Sequence, residues 1–122
     1  MLNEKEMVTI AVKALDDKQG RDIKVLHTAG QTTLADYFVI CNGASNTQVR
    51  ALADAVEQAM SKAGEEPHHI EGHRGGQWTL MAYSSVVIHI FTEEGREFYG
   101  LERLWSDAEA VDISEYLAPS AE

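Results

Sequence analysis

The chain has 122 residues, 44% of them hydrophobic, which is enough for one domain with a real core. No apolar run approaches the ~20 residues of a membrane span, and the one cysteine, Cys41, excludes an internal disulfide and fits a reducing compartment. Twenty acids against ten Lys and Arg give a net charge of −10, which disfavours direct contact with a phosphate backbone and favours a basic protein partner.

The start, Met1 to Glu6, is polar and carries two acids, unlike a secretory signal or a transit peptide, so a cytoplasmic location is expected. Asn3 with Glu6 three residues on predicts a helix cap. Met7, Ile10, Ala11, Ala14 and Leu15 form the stripe behind it, and Gly20 is the expected stop. Ile23 and Val25 alternate with Asp22 and Lys24, the mark of a half-buried strand from Asp22 to His27. Residues 28–33 read as a loop. Tyr37 to Cys41 is a continuous apolar run, expected of a strand covered on both faces.

Asn42-Gly43-Ala44 turns the chain, and Ser45 with Gln48 predicts a second capping box. Val49, Leu52, Ala53, Val56 and Met60 make the next helical stripe, closed by Gly64 and Pro67. His68 to Glu71 is a short strand, and residues 72–77 are a Gly-rich polar loop. Trp78–Tyr83 and Val86–Phe91 read as a hairpin turning at Ser84 and Ser85. Phe98, Leu101, Trp105 and Ala108 then recur at helical spacing. Beyond them Val111, Ile113, Tyr116 and Leu117 suggest a helical turn or two, and the end is expected to fray.

This order predicts an α/β fold: a single domain with a mixed five-stranded sheet and helices packed on it. The helix between mid-chain strands favours a parallel crossover. Residues 1–107 form the domain and 108–122 an acidic, partly ordered C-terminal tail. Charge is uneven along the chain. Residues 1–91 hold 11 acids and 8 bases, and residues 92–122 hold 9 acids and 2 bases.

Candidate chemistry is sparse. His68, His69, Glu71 and His73 lie close together, but without nearby cysteine and with two of the histidines adjacent, they read as a polar loop and no metal site is expected. His89 sits in an apolar strand, the setting of a hydrogen-bonded core histidine. Cys41 has no basic neighbour in sequence to lower its pKa and reads as a small core residue. No nucleophile, base and orienting group come together, so neither catalytic residues nor a cofactor are expected. The aromatic residues carry more signal. Phe98, Leu101 and Trp105 suit the core, whereas Trp78 and Tyr99 suit core and interface equally well.

Several blocks carry a resemblance to a known family: Asp36-Tyr-Phe-Val-Ile-Cys-Asn-Gly43, Ser45, Glu71-Gly72, Trp78, Val87-Ile-His-Ile-Phe91, Arg96-Glu97-Phe98-Tyr99 and Leu101-Glu-Arg-Leu-Trp105. In this order, over about residues 5 to 107, they resemble the ribosomal silencing factor family, also called Iojap-like. The resemblance implies a fold with a nucleotidyltransferase-like core. It implies a translational repressor, not an enzyme, that binds the large ribosomal subunit through its ribosomal protein fourteen and sterically blocks joining of the small subunit. The partner-binding residues expected on that basis are Trp78, Tyr83, Ser85, His89, Tyr99 and Glu102. Neither a membrane nor a specific nucleic acid is expected as partner; self-pairing of the free protein is a further expectation.

The same kinship raises an alternative, a small nucleotide-binding or nucleotidyltransferase-like enzyme. Gly43-Ala44-Ser45 is a strand-to-helix turn whose amides could hold a phosphate. Yet there is no Asp-x-Asp pair for metal ions, Asp36 stands alone, and Glu93 and Glu94 are adjacent. Ser45 therefore reads as a cap. The hairpin also departs from the family, where Asp, an aromatic or apolar residue, Gly and Asp commonly stand. Here Ala82, Tyr83, Ser84 and Ser85 replace them, which removes two acids and the glycine suited to a positive φ.

Overall fold

The computed structural model describes residues 3–27, 36–72, 78–100 and 109–111. Asn3 opens α1 (Glu4–Asp17) through a reciprocal cap: its side chain accepts from the Glu6 amide at 2.8 Å, and Glu6 accepts from the Asn3 amide at 3.0 Å. The helix gives way at Lys18, and Gln19 takes the positive φ of 62°. Gly20 therefore serves a different need from the expected helix stop. A Cβ there would meet Cys41 Sγ at 2.5 Å and the Leu15 carbonyl at 3.0 Å, so glycine lets the turn press onto the sheet.

Strands β1 (Arg21–His27) and β2 (Tyr37–Gly43) pair antiparallel. Their register slips between Arg21 and Lys24, where Asp22 has φ 49°, the geometry of a bulge. Helix α2 (Asn46–Lys62) starts at Ser45, whose Oγ accepts from the Gln48 amide at 3.2 Å. The second box is not closed on Ser45. Gln48 accepts instead from the Ala44 amide, and its side-chain NH₂ donates to the carbonyls of Lys18 and Gln19 at 3.2 and 3.3 Å. This ties the end of α1 to the start of α2. Gly64, with φ 93°, closes α2 as its sequence position predicts.

The remaining elements are β3 (His69–Glu71), β4 (Trp78–Tyr83), β5 (Val86–Thr92), α3 (Glu93–Tyr99) and β6 (Glu109–Val111). The sheet runs β3-β4-β5-β2-β1-β6, with β2 and β5 parallel and all other pairs antiparallel. The expected mixed five-stranded sheet is present as β1 to β5. A sixth, three-residue strand is added at the β1 edge, so Val111 lies in a strand and not in the expected helical turn. Helix α3 ends at Tyr99, and Leu101, Trp105 and Ala108, which carry the rest of the predicted helical spacing, lie outside the described residues. Gly100 caps it in the left-handed conformation at φ 58°, its amide donating to the Arg96 carbonyl. Residues 28–35, 73–77, 101–108 and 112–122, with the loops and tail expected there, lie outside the described residues.

The two sheet faces differ. Val25, Val39, Ile88 and Met81 line up across four strands and are buried beneath α1 and α2, against Leu15, Leu52 and Val56. The opposite face buries Leu26, Phe38, Ile40, Val87 and Phe91, with Trp78, Leu80 and Ala82 half-buried beside them. Period-two alternation on β4 divides its side chains accordingly: Thr79, Met81 and Tyr83 go under the helices, and Trp78, Leu80 and Ala82 go to the other side.

Candidate docking surface

Trp78 is the centre of the second face. It pairs with Phe91 across β4 and β5, and Leu80 pairs with His89. The indole stacks on the Phe91 ring at 5.4 Å between centroids and 19°, and on the His89 ring at 5.8 Å and 29°. Its Nε1–H donates to His89 Nδ1 at 3.1 Å. Phe38 meets His89 edge-on at 4.9 Å. Each contact restricts the indole, so a wide apolar ring is held in one orientation while part of it stays accessible.

His89 itself is 3% exposed. Burial pushes its pKa down from 6.5 to about 4, so it is neutral near pH 7. Accepting at Nδ1 leaves the proton on Nε2, and that buried N–H has no hydrogen-bond partner among the described residues. A neutral ring with an open Nδ1 lone pair is what the indole N–H requires.

A groove of 220 Å³ runs beside the indole, lined by Glu71, Gly72, Trp78 and Leu80. Gly72 is obligatory there. Its φ is 75°, and a Cβ would come 2.1 Å from the Trp78 carbonyl oxygen. Glu71 stands opposite Leu80 and His69 opposite Ala82, on the same face as Trp78. His69 Nε2 lies 3.3 Å from Glu71, and both are exposed. The surface thus combines an apolar floor, one oriented aromatic ring and an acidic rim.

The predicted partner-binding residues separate. Trp78 and His89 come together, His89 as the buried support of the indole. Tyr83 is corrected: five residues from Trp78 on one strand, it points to the opposite face, is 1% exposed and belongs to the helix-covered core. Its hydroxyl has no hydrogen-bond partner among the described residues, and burial, with Glu57 and Glu66 nearby, pushes the phenol well above its usual range. Ser85 sits in the hairpin turn. Its hydroxyl donates to the Glu4 carboxylate, and its carbonyl accepts from the amides of Asp36 and Tyr37 at 2.7 and 3.2 Å. It is a tether between the hairpin, α1 and β2. Tyr99 lies in α3 by its backbone; its side chain, and the whole of Glu102, lie outside the described residues. Ser84 holds the turn at φ 54°, so serine adopts the conformation that the missing glycine would favour.

Sequence reasoning missed Arg96. Its Nη1 donates to the Asp22 carbonyl at 2.7 Å and to Asn42 Oδ1 at 2.9 Å, binding α3 to the β1 bulge and to the end of β2. Asn42 is 4% exposed, so this guanidinium satisfies a buried amide oxygen. Asp36 and Ser45 lie at opposite ends of β2, ~20 Å apart along a strand of that length, and do not share a site. Among the described residues, no group of three or more His, Cys, Asp or Glu is placed to hold a metal ion.

Helices α1 and α2 on one sheet face and an oriented, half-exposed aromatic strip on the other define a small α/β module. Residues 2–122 match the family described as "Ribosomal silencing factor during starvation". The chain is 38% identical over 112 residues to the ribosomal silencing factor RsfS of Bacillus subtilis, covering 92% of this chain and 95% of that one. It is 35% identical to RsfS of Halalkalibacterium halodurans, covering 92% and 96%. It also superposes on the crystal structure of protein CV0518 from Chromobacterium violaceum with a TM-score of 0.84 and 31% identity, over 99% of this chain and 98% of that one. The chain belongs to the ribosomal silencing factor family.

Proposed function

We propose that this protein is a translational repressor. It docks on the large ribosomal subunit through ribosomal protein fourteen and, by occupying that surface, keeps the small subunit from joining. The mechanism is steric and makes or breaks no covalent bond. Family membership supports the ribosomal setting, and the relatives are named as silencing factors. The observation that carries the docking mode is Trp78, held by His89 and Phe91 beside a groove rimmed by Glu71. A desolvated aromatic anchor supplies most of the affinity, and acids on the rim attract a basic partner and speed association. On this reading the protein works in the cytoplasm, with neither membrane nor bare nucleic acid as its partner. No helix among the described residues is long and apolar enough to cross a membrane. Cosedimentation tests the proposal: binding to free large subunits, with little binding to joined ribosomes, is expected. Equal binding to both, or binding to small subunits, contradicts the steric mechanism.

A further inference from the structure

A groove of 480 Å³ follows the outer side of α2 to its C-terminal end, walled by Asp54, Glu57 and Glu66 with one base, Lys62. Three carboxylates against one ammonium give it a formal charge of −2. Asp54 and Glu57 stand about one turn apart on α2, and Glu66 comes from the chain beyond the helix, so the acids are strung out along the groove. Ser61 donates to the Glu66 carboxylate at 2.7 Å. Tyr83 rises from β4 beneath α2, is 1% exposed, and its Oη has no hydrogen-bond partner among the described residues. The carboxylates whose charges reach that hydroxyl are Glu57 and Glu66, so the phenol points at the inner wall of the groove. A buried hydroxyl without a partner costs stability, and a ligand group that bonds it removes that cost.

We propose that this groove binds a linear aliphatic polyamine. A primary ammonium carries three N–H donors. Glu57, Glu66 and the Tyr83 Oη offer it three acceptors, two of them charged. The methylene chain then runs back along α2, and a second ammonium meets Asp54. One helical turn, ~5–6 Å between Cβ atoms, is within the reach of a short methylene spacer. A divalent metal fits less well, because it needs oxygens that converge on one point, and no group of three such acids is placed to do so among the described residues. A single lysine from a protein would bring one charge to a groove of −2, whereas a diamine brings two. The site lies on the helix-covered side of the sheet, away from Trp78, so it is independent of the docking surface.

Isothermal titration of the full chain at low salt with spermidine, putrescine, n-butylamine and a short capped peptide holding one lysine tests this. Saturable binding to one site is expected, with spermidine and putrescine tighter than butylamine or the peptide by about tenfold or more. Tyr83→Phe keeps the ring and removes the hydroxyl. It should weaken spermidine binding about fivefold, yet leave the urea midpoint of the free protein unchanged or higher, because no existing hydrogen bond is lost. Glu57→Gln should weaken binding by about tenfold or more, and Trp78→Ala should leave it unchanged. Circular dichroism follows folding, and Asp54→Asn, at an exposed position, replaces Glu57→Gln if that variant unfolds. No saturable binding, equal affinity for butylamine or the lysine peptide, or an affinity unmoved by Tyr83→Phe or by the acid change would each overturn the proposal. So would loss of binding in Trp78→Ala, or a lowered midpoint in Tyr83→Phe, which would mean that the hydroxyl already has a partner.

Discussion

Lowering the pH from 7 to 5 should weaken this fold through one side chain, His89. In the unfolded chain its imidazole titrates near the ordinary 6.5; in the folded protein burial holds it near 4. A depressed folded pKa gives stability that is fully present above 6.5 and is lost as pH falls toward 4. At pH 5 the unfolded ring is almost fully protonated and the folded ring is still neutral. The difference from neutral pH comes to about 2 kcal/mol. In urea, where a domain of this size loses ~1–3 kcal/mol of stability per molar denaturant, the midpoint should fall by roughly 1 M. His89→Phe keeps a flat ring but cannot titrate, so its midpoint should change less across the same interval. The assay is urea denaturation of both proteins at pH 7, 6 and 5, and the quantity read is the difference between their pH profiles, which removes the shared carboxylate contribution. Parallel profiles would refute the claim that a buried neutral His89 underpins the Trp78 strip. Protonation would also put an N–H on Nδ1, facing the indole donor, so Trp78 fluorescence of the folded wild type should stay constant from pH 7 to 5 and change only as pH falls toward 4.

Three further outcomes follow from single residues. Ser84→Gly relieves a left-handed serine at the hairpin and should stabilise by about 0.5–1 kcal/mol, seen as a higher urea midpoint; an unchanged or lower midpoint speaks against turn strain. Ala82→Asp and Ser85→Asp should diverge, although both restore acids common in the family. Asp at 82 joins the Trp78 face opposite His69 and should tighten large-subunit binding several-fold at low salt, whereas Asp at 85 meets the Glu4 carboxylate and should lower stability without tightening binding. Burial pushes the Cys41 thiol up to about 12, so alkylation at pH 8 should be negligible in the native protein and rapid in denaturant; fast native labelling would contradict its burial.

Much of this arrangement is legible in the residues, because local rules and the fold agree there. Asn3 and Glu6 cap α1, and the stripe from Val49 to Met60 is the buried side of α2. The apolar run at Tyr37 proves to be the strand between β1 and β5, covered on both faces. The site is half legible. Trp78 opens a strand beside a glycine loop, a position that suits core and interface equally, and the fold leaves it half-buried. Strand periodicity alone separates Tyr83 from it: an odd separation on one strand sends two side chains to opposite faces. What the sequence does not carry is contact between distant segments. Arg96 reaches the Asp22 carbonyl and Asn42 only because the sheet brings β1, β2 and α3 to one end. Strand β6 has three residues, too few for a period to register, and acidity around it favours reading a tail. Ser85 looks like an ordinary turn residue until α1 supplies Glu4.

The central claim is that Trp78 is the anchor of a steric block, and subunit joining measures it most directly. Purified large subunits are preincubated with the protein, small subunits are added, and light scattering follows joining. Wild-type protein should suppress joining in proportion to its occupancy of the large subunit. Trp78→Ala, folded by circular dichroism, should need about thirtyfold more protein for the same suppression, the ~2 kcal/mol of an aromatic anchor, at both low and high salt. Equal suppression by the two proteins would contradict the account.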